Sequence, residues 1–172
     1  MSIGSDVFSS GRFRDTSGPE DEQSLFNSLT RASRFVREFR TKLRHGELSR
    51  APLKMIRFQV EGASIQCDWM ARAPDPWDSG LSTPLQLRHT SLQTLKDAMN
   101  VRALLFDAFP YAESAEVRIF REYDEYRREL VMMGLLHRND NSARTVQSLA
   151  MRAKILGFRF HMESDILRKF QP

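Results

Sequence analysis

Residues 53–72 read LKMIRFQVEGASIQCDWMAR, and this stretch decides the fold class. Glu61-Gly62 in its middle predicts a two-residue turn. Folding there sets Val60 opposite Ala63, Phe58 opposite Ile65 and Ile56 opposite Cys67. Those six side chains share one face with Trp69, while Arg57, Gln59, Ser64, Gln66 and Asp68 share the other. A single turn satisfies the alternation of both arms, as a β-hairpin with one buried face requires.

Working outward, residues 115–122 alternate with Val117 and Ile119 on one side. Residues 129–138, ELVMMGLLHR, suit either a helix or a strand. Gly134 costs about 1 kcal/mol in a helix interior, which favours the strand. Upstream, residues 20–45 predict a long helix. Pro19 and the acidic run Glu20, Asp21, Glu22 suit its positive start. Arg40, Lys42 and Arg44 suit its end, and Gly46 its cap. Leu25, Leu29, Ala32, Val36, Phe39 and Leu43 step by four and three, a continuous apolar seam that Phe26 and Phe35 widen.

A loop with three prolines, 73–88, precedes a helix predicted at 91–109. Thr90 and Gln93 have capping-box spacing there, and Leu92, Leu95, Met99, Ala103 and Phe106 form its apolar stripe. A third helix is predicted at 143–156, behind the capping residues Asn139-Asp140-Asn141-Ser142. A short C-terminal helix is predicted around Ile166, Leu167 and Phe170. The two ββα stretches share a faint likeness, as in Ser91-Leu92-Gln93-Thr94-Leu95 against Thr145-Val146-Gln147-Ser148-Leu149.

The expected fold is therefore α+β. A long N-terminal helix (20–45) precedes two ββα units (53–109 and 115–156), which form a four-stranded antiparallel sheet with helices on one face. Residues 1–19 form a Ser/Gly-rich tail, 20–172 a single domain, and 157–172 its C-terminal tail or helix. Leu53, Met55, Met70 and Phe120 fall on the second sheet face by alternation. Strand 129–138 is apolar on both faces and expects cover on both. The long first helix or another protein chain is the candidate cover.

Composition narrows the function. The chain has 172 residues, 41% hydrophobic and 28% charged, with one cysteine, so a disulfide framework and a Cys-based zinc site are excluded. No apolar run is long enough to span a membrane. The start, MSIGSDVFSS, lacks the pattern of a secretory signal, so a cytoplasmic protein is expected. The net charge is +4, and residues 131–172 account for it. That excess is small for a strong nucleic-acid binder.

Catalytic patterns are weak. No Walker loop or G-x-S-x-G is present, and His45, His89, His137 and His161 stand far apart. Cys67 and Asp68 are neighbours on a strand and so face opposite ways, which denies Cys67 an activating base. No catalytic residue, metal ligand or cofactor is assigned. The leading expectation is a non-enzymatic interaction or assembly subunit. It presents an apolar helix or sheet surface to a protein partner or to its own copy, through Phe8, Phe13, Leu29, Val36, Phe39, Met55 and Phe120. A second reading is a small basic nucleic-acid binder using Arg31, Arg34, Arg37, Arg40 and Arg44, which recur along the first helix as an arc rather than a line. A third is an enzyme with a site in loop 73–90, built on Asp75, Asp78 or His89.

Overall fold

The computed structural model describes residues 19–124, 127–138 and 145–172. Helix α1 spans Pro19–Lys42, and strands β1 (Lys54–Glu61) and β2 (Ser64–Met70) form the hairpin. A single 3-10 turn, Pro76–Gly80, leads into α2, Thr83–Ala108. Strands β3 (Ser114–Asp124) and β4 (Arg127–His137) follow. Then come α3 (Leu149–Ile155), β5 (Phe158–Arg159), and a small hairpin of β6 (Met162–Glu163) and β7 (Ile166–Leu167).

The architecture is α+β, with helices packed on a sheet, but the sheet differs from the expected one. It has five strands in the order β1-β2-β3-β4-β5, and its central pair, β2 and β3, runs parallel. The reason is the crossover. Helix α2 has 26 residues and spans about 39 Å, so it carries the chain back along the whole sheet before β3 begins. The strand after such a helix starts at the same end as the strand before it. The likeness between the two ββα stretches also stops here, because α3 has only 7 residues.

The hairpin turns at Gly62-Ala63, one residue later than expected. Glu61 pairs with Ser64, Val60 with Ile65 and Phe58 with Cys67. Gly62 has φ 58°, the left-handed conformation such a turn demands and glycine adopts freely. The pairing is shifted by two residues, which preserves the faces, so Val60, Phe58, Ile65 and Cys67 still point to the core. A β-bulge between Met55 and Arg57 then breaks the alternation. Met55 pairs with Trp69 and packs on the core, Leu53 is buried, and Ile56 is turned out. Leu53 and Met55 thus belong to the helix-covered face, not the second one.

Helix α2 begins at Thr83, eight residues before the expected start. Pro84 sits in its first turn, where a missing N–H leaves nothing unpaired. Thr90 is interior to the helix, its hydroxyl bonding to the Leu87 carbonyl. Leu92 and Ala103 face outward, whereas Leu95, Ala98, Val101, Leu105 and Phe106 are buried. Residues 129–138 are a strand. Gly134 lies so close to β5 that a Cβ there would come within 2.7 Å of the Gly157 carbonyl oxygen. Helix α3 is shorter than predicted, and its cap is Ser148, whose side chain accepts from the Met151 N–H at 3.3 Å. Asn139–Ser142 lie outside the described residues. In place of a C-terminal helix, Ser164 and Asp165 take positive φ and turn β6 into β7. Ile166 and Leu167 are buried, and the Phe170 N–H bonds to the Leu130 carbonyl of β4.

Helices α1 and α2 lie side by side on one sheet face. Between them and the sheet is the core: Phe35, Phe39, Trp69, Leu95, Leu105, Phe109 and their neighbours. Among the described residues no helix is long and apolar enough to cross a membrane.

Candidate interaction surface

Helix α1 changes character along its length. Its carboxyl half is an ordinary core helix. Phe35 is fully buried, stacked on Phe58 with ring centroids 4.6 Å apart and edge-on to Phe109 at 5.9 Å. Phe39 and Leu43 follow one and two turns later, both buried, with Ala32 and Val36 packed at the side.

The end of this half is locked by Arg72, which follows β2. The Arg72 guanidinium uses all five of its N–H groups. Two go to the Asp97 carboxylate of α2, at 2.8 and 3.0 Å. The others reach the carbonyls of Leu43, Arg44 and Ala51. Leu43 and Arg44 directly follow the last residue of α1, where carbonyls lack helical partners and need outside donors. Gln93 completes the knot, donating to Asp97 at 2.9 Å and accepting from the Leu48 N–H at 2.7 Å. Burial pushes the Asp97 carboxyl above its ordinary range, while Arg72 and Gln93 pull it back. Arg138 does the same service for α2, donating to the carbonyls of Phe106, Phe109 and Ala112.

The amino half of α1 reverses the polarity. Ser24, Asn27, Ser28 and Arg31 line a cleft toward the body, opposite Val60, Gly62 and Tyr111. Arg31 stacks over the Tyr111 ring at 5.1 Å. Among the described side chains, the large apolar ones of this half point away from the body: Phe26 is 69% exposed and Leu29 59%. With Thr30, Ser33, Arg34 and Arg37 they line a shallow groove on the outer face. A surface helix normally turns its apolar stripe inward and its polar one outward. Between Ser24 and Arg31 the described side chains do the opposite.

The expected contact residues therefore separate. Leu29 is open to solvent, and Val36 is half-buried against the core. Phe39, 1% exposed, and Met55 serve the chain's own interior. Phe120 lies on the reverse sheet face, half-buried, with the Arg128 guanidinium 5.1 Å above its ring. Phe8 and Phe13 lie outside the described residues. Phe26, the most exposed member of the outward patch, belongs by its apolar character to the seam. Its place two positions past Ser24 was the available signal.

The arginine arc is divided as well. Arg31 is engaged with Tyr111, and Arg34 pairs with Glu38 at 2.8 Å, a carboxylate shared with Lys42. Those two partners hold the Glu38 carboxyl below its ordinary range. Arg37 and Arg40 are exposed at the outer face, and Arg44 lies past the end of the helix.

In loop 73–90, both Asp75 oxygens accept backbone N–H groups of Arg50 and Ala51, at 2.9 to 3.2 Å. Asp78 is buried, and its carboxylate stands 3.8 Å from His89 Nδ1. Among the described residues, no three His, Cys, Asp or Glu side chains gather as metal ligands. Cys67 is buried on the core face, where burial pushes its thiol far upward. Asp68, on the other face, is paired with Arg118 through two bonds at 2.9 and 2.6 Å. A depression of about 500 Å³ opens where β2 and β3 end. Its two arginines are committed, Arg72 as above and Arg121 to Glu129 and the Leu167 carbonyl.

Comparisons with known protein families, curated proteins and solved structures found no match to this chain.

Proposed function

We propose that this chain is a non-enzymatic assembly subunit that contacts another protein chain through the outer face of α1. The observation that carries this reading is the reversed polarity of the amino half of α1, with Phe26 and Leu29 outward and Ser24, Asn27, Ser28 and Arg31 inward. Covering one such side chain is worth about 1.5–3 kcal/mol, so a surface that leaves two together exposed favours a partner. The arginines at the rim select an acidic neighbour. Loop 73–90 supports this reading over an enzyme, because its acids hold backbone or sit buried in a turn.

A photo-reactive phenylalanine analogue placed at position 26 tests it. In the producing cell, an adduct to a protein chain is expected from position 26 and not from position 123, where Tyr123 is equally exposed. No adduct at position 26, or equal adducts at both, refutes the proposal.

A further inference from the structure

We propose that the cleft between the amino half of α1 and the β1–β2 turn binds a small organic anion, a carboxylate or phosphate ester with an apolar body. This site lies on the opposite side of α1 from the contact surface and is independent of it. The cleft encloses about 580 Å³, within the range of small-molecule sites. Its lining is small where a core helix carries large side chains. Ser24 and Ser28 stand on α1, and at Gly62 on the turn an added Cβ would meet nothing within 4 Å.

Helix geometry sets Ser24, Asn27, Ser28 and Arg31 within one stripe about 100° wide and about 10 Å long. Among the described residues, none of these four side chains hydrogen-bonds to the protein. The outward Thr30, by contrast, turns its hydroxyl back to the Phe26 carbonyl at 2.9 Å. Arg31 is half-buried and, among the described residues, pairs with no carboxylate, whereas Arg34 pairs with Glu38. The described lining of the cleft holds no Asp or Glu, and the neighbouring Glu61 receives the Gln59 amide. A cation drawn out of water without a counter-charge is unfavourable, and an anion in the cleft relieves it.

The cation is also held in place. Arg31 stands over the Tyr111 ring at 5.1 Å, and Phe109 meets that ring edge-on at 6.1 Å. A contact through the guanidinium face takes no N–H, so the planar fork keeps its donors for a carboxylate or phosphate. Asn27 and Ser28 add neutral donors beside it, and Val60 and the Tyr111 ring offer apolar surface to the rest of the ligand.

The test is an amide NMR titration of the isotope-labelled full chain with phenyl phosphate, with benzoate and, as cationic control, with benzylamine. Saturable shifts are expected at Asn27, Ser28, Arg31, Gly62 and Tyr111 with at least one anion, and none there with benzylamine. Arg31→Met weakens binding about tenfold or more, as loss of a charge-assisted fork does. Arg37→Met removes an exposed arginine from the outer face and changes binding less than about twofold, because solvent and salt screen that charge. Far-UV circular dichroism checks that both variants are folded, and the wild-type shift map decides if Arg31→Met is not. One anion binding without the other supports the site and names its oxyanion. Saturable shifts absent from the cleft with both anions overturn the proposal, as do equal losses in Arg31→Met and Arg37→Met or equal binding of benzylamine.

Discussion

Replacing Arg72 by methionine isolates the interaction that holds α1 in place. Both Arg72 and Asp97 side chains are 1% exposed. Methionine fills similar length and supplies no donor. Asp97 would keep only the Gln93 amide, and the carbonyls of Leu43, Arg44 and Ala51 would lose their Arg72 donor. Breaking one side of a buried ion pair costs about 3–5 kcal/mol. Each buried carbonyl left unpaired adds about 1–3 kcal/mol where water cannot replace the donor. The expected loss is therefore at least ~4 kcal/mol. In a chain of this size, that lowers Tm by about 8–16 °C. Urea unfolding followed by fluorescence of Trp69, which is fully buried, reads the change. Arg72→Lys keeps the charge but not the planar fork and is expected to lie between wild type and Arg72→Met. The double variant Arg72→Met/Asp97→Leu removes the stranded charge but not the orphan carbonyls, so it recovers only part of the loss. A loss below ~1 kcal/mol for Arg72→Met would refute the clamp, because breaking a buried ion pair costs several times that.

Other outcomes follow from the same contacts. Cys67, buried with its thiol pushed upward, is expected to resist thiol reagents in the native protein and to react at once in denaturant; rapid native labelling contradicts that placement. Gly134→Ala, whose new methyl meets the Gly157 carbonyl, is expected to cost about 1–3 kcal/mol in thermal unfolding, and an unchanged Tm counts against the close passage of β5. Phe35→Ala is expected to cost about 3–5 kcal/mol and Leu29→Ala, measured on the dilute chain, under ~0.5 kcal/mol. Equal losses at those two positions would deny that the halves of α1 differ.

The sequence disclosed which residues share a face better than which strands run together. Val60, Phe58, Ile65 and Cys67 were readable as core because a slip of two residues leaves every side chain on its own face. The bulge that turns Ile56 out and Met55 in was not readable, since nothing in alternation announces an extra residue. Nor does apolar periodicity encode direction, so the parallel pairing of β2 and β3 appears only once α2 is seen to cross the sheet. The start of α2 was hidden by Pro84, which reads as a loop residue unless it is placed in a first turn. The Arg72–Asp97–Gln93 knot was hidden for a different reason. Polar residues at helical spacing look like a wet face, and only tertiary packing makes them buried.

The candidate surface was legible in part. The spacing of Leu25, Leu29, Ala32, Val36, Phe39 and Leu43 marks one apolar seam, and its second half packs on the chain's own core. Its first half was read as continuous with the second, although Leu29 faces solvent and the fully buried position is Phe35. The stripe that meets the sheet is rotated from the seam, and the rotation leaves Phe26 and Leu29 outside. The abundance of arginine, which invites a nucleic-acid reading, has a local cause in Arg72, Arg138, Arg121 and Arg88. Each donates to backbone carbonyls, a role that five fixed N–H groups suit.

The most direct measurement is the rate at which a cell-permeant thiol reagent labels a cysteine placed at position 29, in the producing cell and in the dilute purified chain. Cys67 is buried and stays unlabelled. If another protein chain covers the outer face of α1, position 29 is labelled about tenfold or more slowly in the cell than in the dilute chain, while a cysteine at the exposed position 123 is labelled equally fast in both. Equal labelling of position 29 in the cell and in the dilute chain would contradict the account, since a covered side chain cannot react as fast as an open one.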